Sequence, residues 1–220
     1  MNNPTALLFD LDGTLVDTRQ DITANVNRAL ADHGLLALTL EQAMRHVGFG
    51  AEVLIKRCLL EFLHDSQISS ELVKTTLDGF RDHYAAHMVE HATVYPGTRN
   101  FLDAFPAPKA VISNKPEFFV QGVLNGMGLD SYFEFAWGKD STENPKPSGG
   151  VILEALEILS VPSSKRVWFI GDSPVDVHAA KAAGSTSMMI SHGFASREDL
   201  INSKPDYLAS SFPELLGMIT

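Results

Sequence analysis

Residues 6–14 read Ala6-Leu7-Leu8-Phe9-Asp10-Leu11-Asp12-Gly13-Thr14. The run from Ala6 to Phe9 is apolar without interruption and stops at an acid. A short, unbroken apolar run is how a strand buried on both faces reads, and such strands belong to parallel sheets. Asp10 and Asp12 stand two apart, so on extended backbone their carboxyl groups leave the same face, roughly 6–7 Å apart. Gly13 permits a sharp turn close to a ligand, and Thr14 adds a hydroxyl and an amide.

Outward from this stretch the pattern changes period. From residue 17 to residue 88 it is helical almost throughout. Ile22, Val26 and Leu30 recur every four residues, Gly34 is placed to end that helix, and Thr39-Leu40-Glu41-Gln42 fits a capping box. The block predicts a small bundle of about four helices. After Tyr95-Pro96-Gly97, strands and helices alternate. Strands are expected at 110–112, 133–137, 166–170 and 187–190, with a short last one at 206–208. Helices are expected at 116–127, 150–159 and 174–183. Alternation at this spacing means βαβ units. The fold class is therefore α/β, a doubly wound parallel sheet with a Rossmann-like core and an inserted α-helical domain. The core is expected over 1–15 and 91–220, and the insert over 16–90.

In an open parallel sheet, ligands bind beyond the carboxyl ends of the strands. Polar residues follow four of the expected strands: Asp10, Asp12 and Thr14; Ser113, Asn114 and Lys115; Lys146; and Asp172, Ser173 and Asp176. Each group alone could be a strand-end turn or a helix cap, since Asp, Ser and Gly are common there. Their convergence on one edge points to a site. Carboxylates at Asp10, Asp12 and Asp172 would repel each other, and a hard divalent cation such as Mg²⁺, bound through oxygen, resolves that repulsion. Asp172 reads as a metal ligand, with Asp176 supporting it from behind. Two carboxylates in different surroundings can divide the roles of nucleophile and acid/base between Asp10 and Asp12. Ser113 at a helix start suits a phosphate, and Lys146, flanked by Pro145 and Pro147, is expected in a stiff extended segment suited to an anion.

The chain has 220 residues, with 27 acidic against 17 basic side chains and a net charge of −10. That balance argues against nucleic acid and anionic membranes as partners. Forty-five percent hydrophobic residues argue against disorder. No apolar stretch approaches the ~18 residues of a membrane span. No secretory signal is expected in residues 1–5, and the single cysteine, Cys58, fits a reducing, cytoplasmic setting. Cys58 sits in an apolar helical run and reads as a buried residue. Gly48-Phe49-Gly50 follows a helix and lacks a third glycine, so it is not a dinucleotide fingerprint. His83 and His87 share metal-ligand spacing without an evident third ligand.

Asp10-Leu11-Asp12-Gly13-Thr14, Ser113-Asn114, Lys146-Pro147 and Gly171-Asp172-Ser173-Pro174-Val175-Asp176 resemble, in order and spacing, the four motifs of the haloacid dehalogenase-like hydrolase superfamily. The insert resembles that superfamily's small α-helical cap. Val47-Gly48-Phe49-Gly50 and Ser113-Asn114-Lys115 are similar to its phosphoglycolate phosphatase branch. The resemblance implies a Mg²⁺-dependent phosphatase of small phosphorylated metabolites, phosphoglycolate first among them, acting as a monomer or homodimer. It implies that Asp10 attacks phosphorus to form an aspartyl-phosphate and that Asp12 protonates the leaving alcohol, then activates water. Thr14, Ser113, Asn114 and Lys146 are the expected phosphate and substrate contacts, with Lys115 and Arg45 as further candidates. Asp10, the Asp12 carbonyl and Asp172 are the expected metal ligands. The alternatives are a sugar phosphomutase of the same superfamily and a non-enzymatic, phosphorylatable signalling module. The mutases more often carry an aliphatic residue where Thr14 stands, and an arginine near Gly50 and Ala51.

Overall fold

A computed structural model describes residues 3–219, so Met1, Asn2 and Thr220, with their part in the expected core boundaries and the signal reading, lie outside the described residues. The chain divides into two compact units, residues 18–92 and the remainder.

The larger unit is built on a six-stranded sheet. Its strands are β1 (Ala6–Phe9), β4 (Lys109–Ile112), β5 (Phe135–Trp137), β6 (Val167–Gly171), β7 (Thr186–Ile190) and β8 (Tyr207–Ala209). The spatial order is β5-β4-β1-β6-β7-β8, and every pairing is parallel. β1, β4, β6 and β7 are buried along their whole length, as continuous apolar runs require, whereas β5 and β8 at the edges are short and half-buried. The chain winds from β1 to β4 and β5 on one side, then returns to lay β6, β7 and β8 on the other. β1 therefore stands where the winding reverses, the position at which such sheets bind ligands.

The helices of this unit are α5 (Thr98–Asp103), α6 (Glu117–Gly126), α7 (Gly150–Ile158), α8 (Pro174–Ala182), α9 (Arg197–Ser203) and α10 (Phe212–Ile219). α7 and α8 bury Val151, Ile152, Leu156, Ala179 and Ala180 against Leu8, Ile112 and Phe169 of the sheet. A separate antiparallel pair, β2 (Val16–Asp17) and β3 (Thr93–Val94), forms where the chain leaves and re-enters the unit. The strand expected at 133–137 begins only at Phe135, because residues 130–132 form a 3₁₀ turn. Lys146 lies in a turn with a cis Lys146–Pro147 peptide, not in the extended segment expected from its flanking prolines.

The smaller unit is helical: α1 (Arg19–Ala31), α2 (Leu40–Met44), α3 (Ala51–Leu60) and α4 (Ser70–His87). Ile22, Val26 and Leu30 of α1 are buried, and α1 packs chiefly on α4, whose Leu77, Phe80 and Tyr84 turn inward. Thr39 opens α2 with a complete capping box through Gln42. Cys58 on α3 is fully buried, and burial pushes its thiol up to about 12. His83 and His87 are not joined by a metal cluster among the described residues; they pair with Asp32 at 2.8 Å and Glu90 at 2.7 Å. No helix among the described residues is long and apolar enough to cross a membrane.

Candidate active site

The β1 ladder runs one residue past the strand, where the Asp10 N–H donates to the Ile170 carbonyl at 2.9 Å. Asp10 is thereby fixed between β1 and β6 at the sheet's carboxyl edge. The next residues curl into a tight loop, with the N–H groups of Thr14, Leu15 and Val16 all donating to the Leu11 carbonyl. Gly13 sits in this loop at φ +83°, and a Cβ there would lie 2.3 Å from Asp172 Oδ2. Only glycine meets both the conformation and the approach.

Asp172 follows β6 and is almost fully buried. Its Oδ2 accepts the Phe194 N–H at 2.6 Å, and its Oδ1 accepts the Thr14 hydroxyl at 3.3 Å. Asp176, one turn into α8, is completely buried. Its Oδ2 accepts from the Ser173 amide and hydroxyl, a capping box, and from the Asp172 amide at 3.3 Å. Its Oδ1 accepts from Lys146 Nζ at 2.6 Å, and the same ammonium lies 3.0 Å from Asp10 Oδ1. One carboxylate thus caps the helix through Oδ2 and holds Lys146 through Oδ1.

Asp10, Asp172 and Asp176 each offer a carboxylate oxygen, all within 4.8 Å of one another. Against three carboxylates stands the ammonium of Lys146, which leaves two negative charges uncompensated if all are ionised. Burial raises the Asp10 carboxyl to about 6; Lys146 opposes that rise, while Asp176 and Asp12 add to it. Asp172 is raised well above the ordinary carboxylate range, first by burial and then by Asp176 and Asp10. Burial works against the Lys146 ammonium, yet Asp10 and Asp176 outweigh it and lift its pKa. An all-oxygen donor set with this residual charge fits a hard divalent cation.

Asp12 faces a different partner. Lys115 Nζ lies 3.0 and 2.9 Å from its two carboxylate oxygens. The two acids of the Asp-x-Asp pair are therefore held by different lysines, Lys146 for Asp10 and Lys115 for Asp12. Ser113, just beyond β4, is buried, and its Oγ accepts the Lys115 N–H at 3.3 Å.

Two of the expected substrate contacts have partners within the protein. Thr14 is fully buried, its amide spent on Leu11 and its hydroxyl on Asp172, so it orients the acid. Asn114 Nδ2 donates to the Lys146 carbonyl at 3.0 Å and braces the turn that presents that lysine. Arg45 belongs to the helical unit, where it is exposed and lies 3.7 Å from Glu41. His192-Gly193-Phe194, after β7, was not among the sequence candidates, although the strand-end rule that found the others applies to it equally. It carries no acid or lysine, and its contribution comes through backbone and ring contacts.

A family model described as haloacid dehalogenase-like hydrolase matches residues 7–190. A phosphoglycolate phosphatase of Colwellia psychrerythraea is 37% identical over 216 residues, covering 96% of this chain and 94% of that protein. A phosphoglycolate phosphatase of Pseudomonas savastanoi pv. phaseolicola is 35% identical, covering 97% of this chain and 79% of its own length. The crystal structure of a predicted phosphoglycolate phosphatase from Haemophilus somnus superposes with a TM-score of 0.93 at 27% identity, over 100% of both chains. The chain belongs to the haloacid dehalogenase-like hydrolases. Within that family it is a phosphoric monoester hydrolase that resembles the phosphoglycolate phosphatases.

Proposed function

We propose that the chain is a Mg²⁺-dependent phosphatase that hydrolyses a small phosphomonoester through a phosphorylated Asp10. The observation that carries this reading is the packing of the Asp10, Asp172 and Asp176 oxygens within 4.8 Å around one buried ammonium. Asp10 and Asp172, with the Asp12 carbonyl, are assigned to the metal, and Asp176 to holding Lys146 and the Asp172 backbone. The ion, when bound, supplies positive charge that keeps Asp10 ionised and neutralises the phosphoryl group.

In the first step an Asp10 carboxylate oxygen attacks phosphorus, and the bond from phosphorus to the ester oxygen breaks. Asp12 gives its proton to the departing alcohol. In the second step Asp12 takes a proton from water, whose oxygen attacks the phosphorus of phospho-Asp10; the bond from phosphorus to the Asp10 oxygen breaks, which frees the carboxylate and releases inorganic phosphate. Lys115 keeps the Asp12 carboxyl in place through both steps. Lys146 and Ser113 are assigned to the phosphoryl oxygens, whose spreading negative charge they meet with an ammonium and a hydroxyl.

Phosphoglycolate is the leading substrate, because relatives at 35% and 37% identity carry that activity in their names. The helical unit, Arg45 included, is assigned the selection of substrate, and the cytoplasm is the proposed setting. The test is phosphate release from phosphoglycolate, hexose phosphates and p-nitrophenyl phosphate with Mg²⁺, by the wild type and by Asp10→Asn. Release by the wild type alone is expected. Equal release by both would remove Asp10 as nucleophile, and isomerisation of a hexose phosphate without release would favour the mutase.

A further inference from the structure

We propose that His192 is a positioning residue for this reaction: through its ring nitrogen it clamps the loop that carries Asp12 and Thr14, and its own segment also holds Asp172. The proposal rests on the phosphatase reading for its kinetic consequence, but its geometry stands on the larger unit alone.

His192 Nε2 lies 3.1 Å from the Thr14 carbonyl oxygen. A carbonyl only accepts, so Nε2 carries the hydrogen and the imidazole is the donor. The ring is stacked on Tyr95, with centroids 3.7 Å apart and planes at 13°, and Phe212 lies beside it at 5.9 Å. Tyr95 in turn donates its own N–H to the Leu15 carbonyl at 3.1 Å. Two stacked residues therefore grip two consecutive carbonyls of the acid loop, Thr14 and Leu15. Neither grip is local: His192 stands two residues past β7, and Tyr95 is the residue that follows β3.

The same short segment reaches the other half of the site. Two residues after His192, the Phe194 N–H donates to Asp172 Oδ2. Between them, a Cβ on Gly193 would lie 2.2 Å from Asp172 Oδ2 and 2.5 Å from the Gly13 carbonyl oxygen. Thr14, whose carbonyl His192 holds, sends its hydroxyl to Asp172 Oδ1. The imidazole on the Thr14 carbonyl, the Phe194 amide and the Thr14 hydroxyl thus join the Asp12 loop, the segment after β7 and the Asp172 carboxylate in one chain of hydrogen bonds. When the imidazole donor is removed, the Thr14 carbonyl is released from the segment after β7, and the spacing between Asp12 and Asp172 is held less firmly.

Two variants separate donation from stacking. His192→Phe keeps a flat ring beside Tyr95 and removes the donor; His192→Gln keeps an N–H at similar reach and removes the ring. H192F is expected to lose about 10–100-fold in kcat with KM changed less than about twofold, the size of effect seen when supports behind metal ligands are removed. The Mg²⁺ concentration for half-maximal thermal stabilisation is expected to rise over the same about 10–100-fold range. H192Q should recover most of both losses. Wild-type kcat and Mg²⁺ midpoint in H192F would overturn the proposal, as would equal losses in H192Q and H192F, which would mean that ring packing alone matters. Should H192F not fold, His192→Asn, whose shorter amide stops short of Thr14, takes its place with the same expected and overturning results. If the wild type releases no phosphate, the phosphatase reading fails, while the Mg²⁺ midpoints of wild type and variants still decide the role of His192.

Discussion

Stripping divalent metal from this protein should make its fold sensitive to the ionisation of Asp10. Burial raises that carboxyl from 3.8 to about 6 in the folded chain. In the unfolded chain it returns to its ordinary value, so as pH rises the unfolded state sheds the proton first. The stability tied to the folded, protonated group is therefore complete below 3.8 and is lost as pH climbs through about 6. The rise from 3.8 to about 6 is worth about 3 kcal/mol, at about 1.4 kcal/mol for each tenfold change in proton affinity. For a chain of this size that corresponds to roughly 6–12 °C in melting temperature. The assay is thermal melting of chelator-treated protein between about pH 4 and pH 7.5, wild type beside Asp10→Asn, with and without excess Mg²⁺. Asparagine cannot ionise, so subtracting the variant removes the titrating groups remote from Asp10 and leaves Asp10 together with the neighbours it acts on, Lys146 and Asp172. The wild type should fall progressively below the variant as pH rises through about 6, and Mg²⁺ should close the gap. Parallel curves across the whole range, without metal, would refute the reasoning that burial and neighbouring acids leave Asp10 poorly compensated.

Further outcomes follow from the same geometry. Asp12→Asn should lower kcat by about 10²–10⁴-fold, the range for a lost general acid, and steady-state kinetics with p-nitrophenyl phosphate would show it. Gly193→Ala inserts a methyl group 2.2 Å from Asp172 Oδ2, and Mg²⁺ titration followed by calorimetry should find affinity reduced about 10–100-fold. Cys58, fully buried and with its thiol raised to about 12, should resist a disulfide reagent in the native protein at mildly alkaline pH and react once urea unfolds the chain.

The sequence alone placed the six strands of the main sheet to within about two residues, the helical insert and the acids at the strand ends, because those signals are local, whereas the β2–β3 pair was not legible in it. An apolar run such as Ala6–Phe9 ends where its last buried residue ends, and a capping box such as Thr39 with Gln42 is written within four residues. What each acid meets was not local. Lys115 is 103 residues from Asp12, and Thr14 is 158 from the Asp172 that takes its hydroxyl. Thr14 and Asn114 read in the sequence as substrate contacts, and only folding shows that Thr14 also meets Asp172 and Asn114 the Lys146 carbonyl. The His192-Gly193-Phe194 segment carries no charge pattern, since its contacts are an imidazole N–H on a carbonyl, a backbone amide, a missing Cβ and a ring stack. Hydrogen bonds and close approaches of that kind depend on where the sheet brings separate strand ends together, and that is decided by the packing of the whole unit.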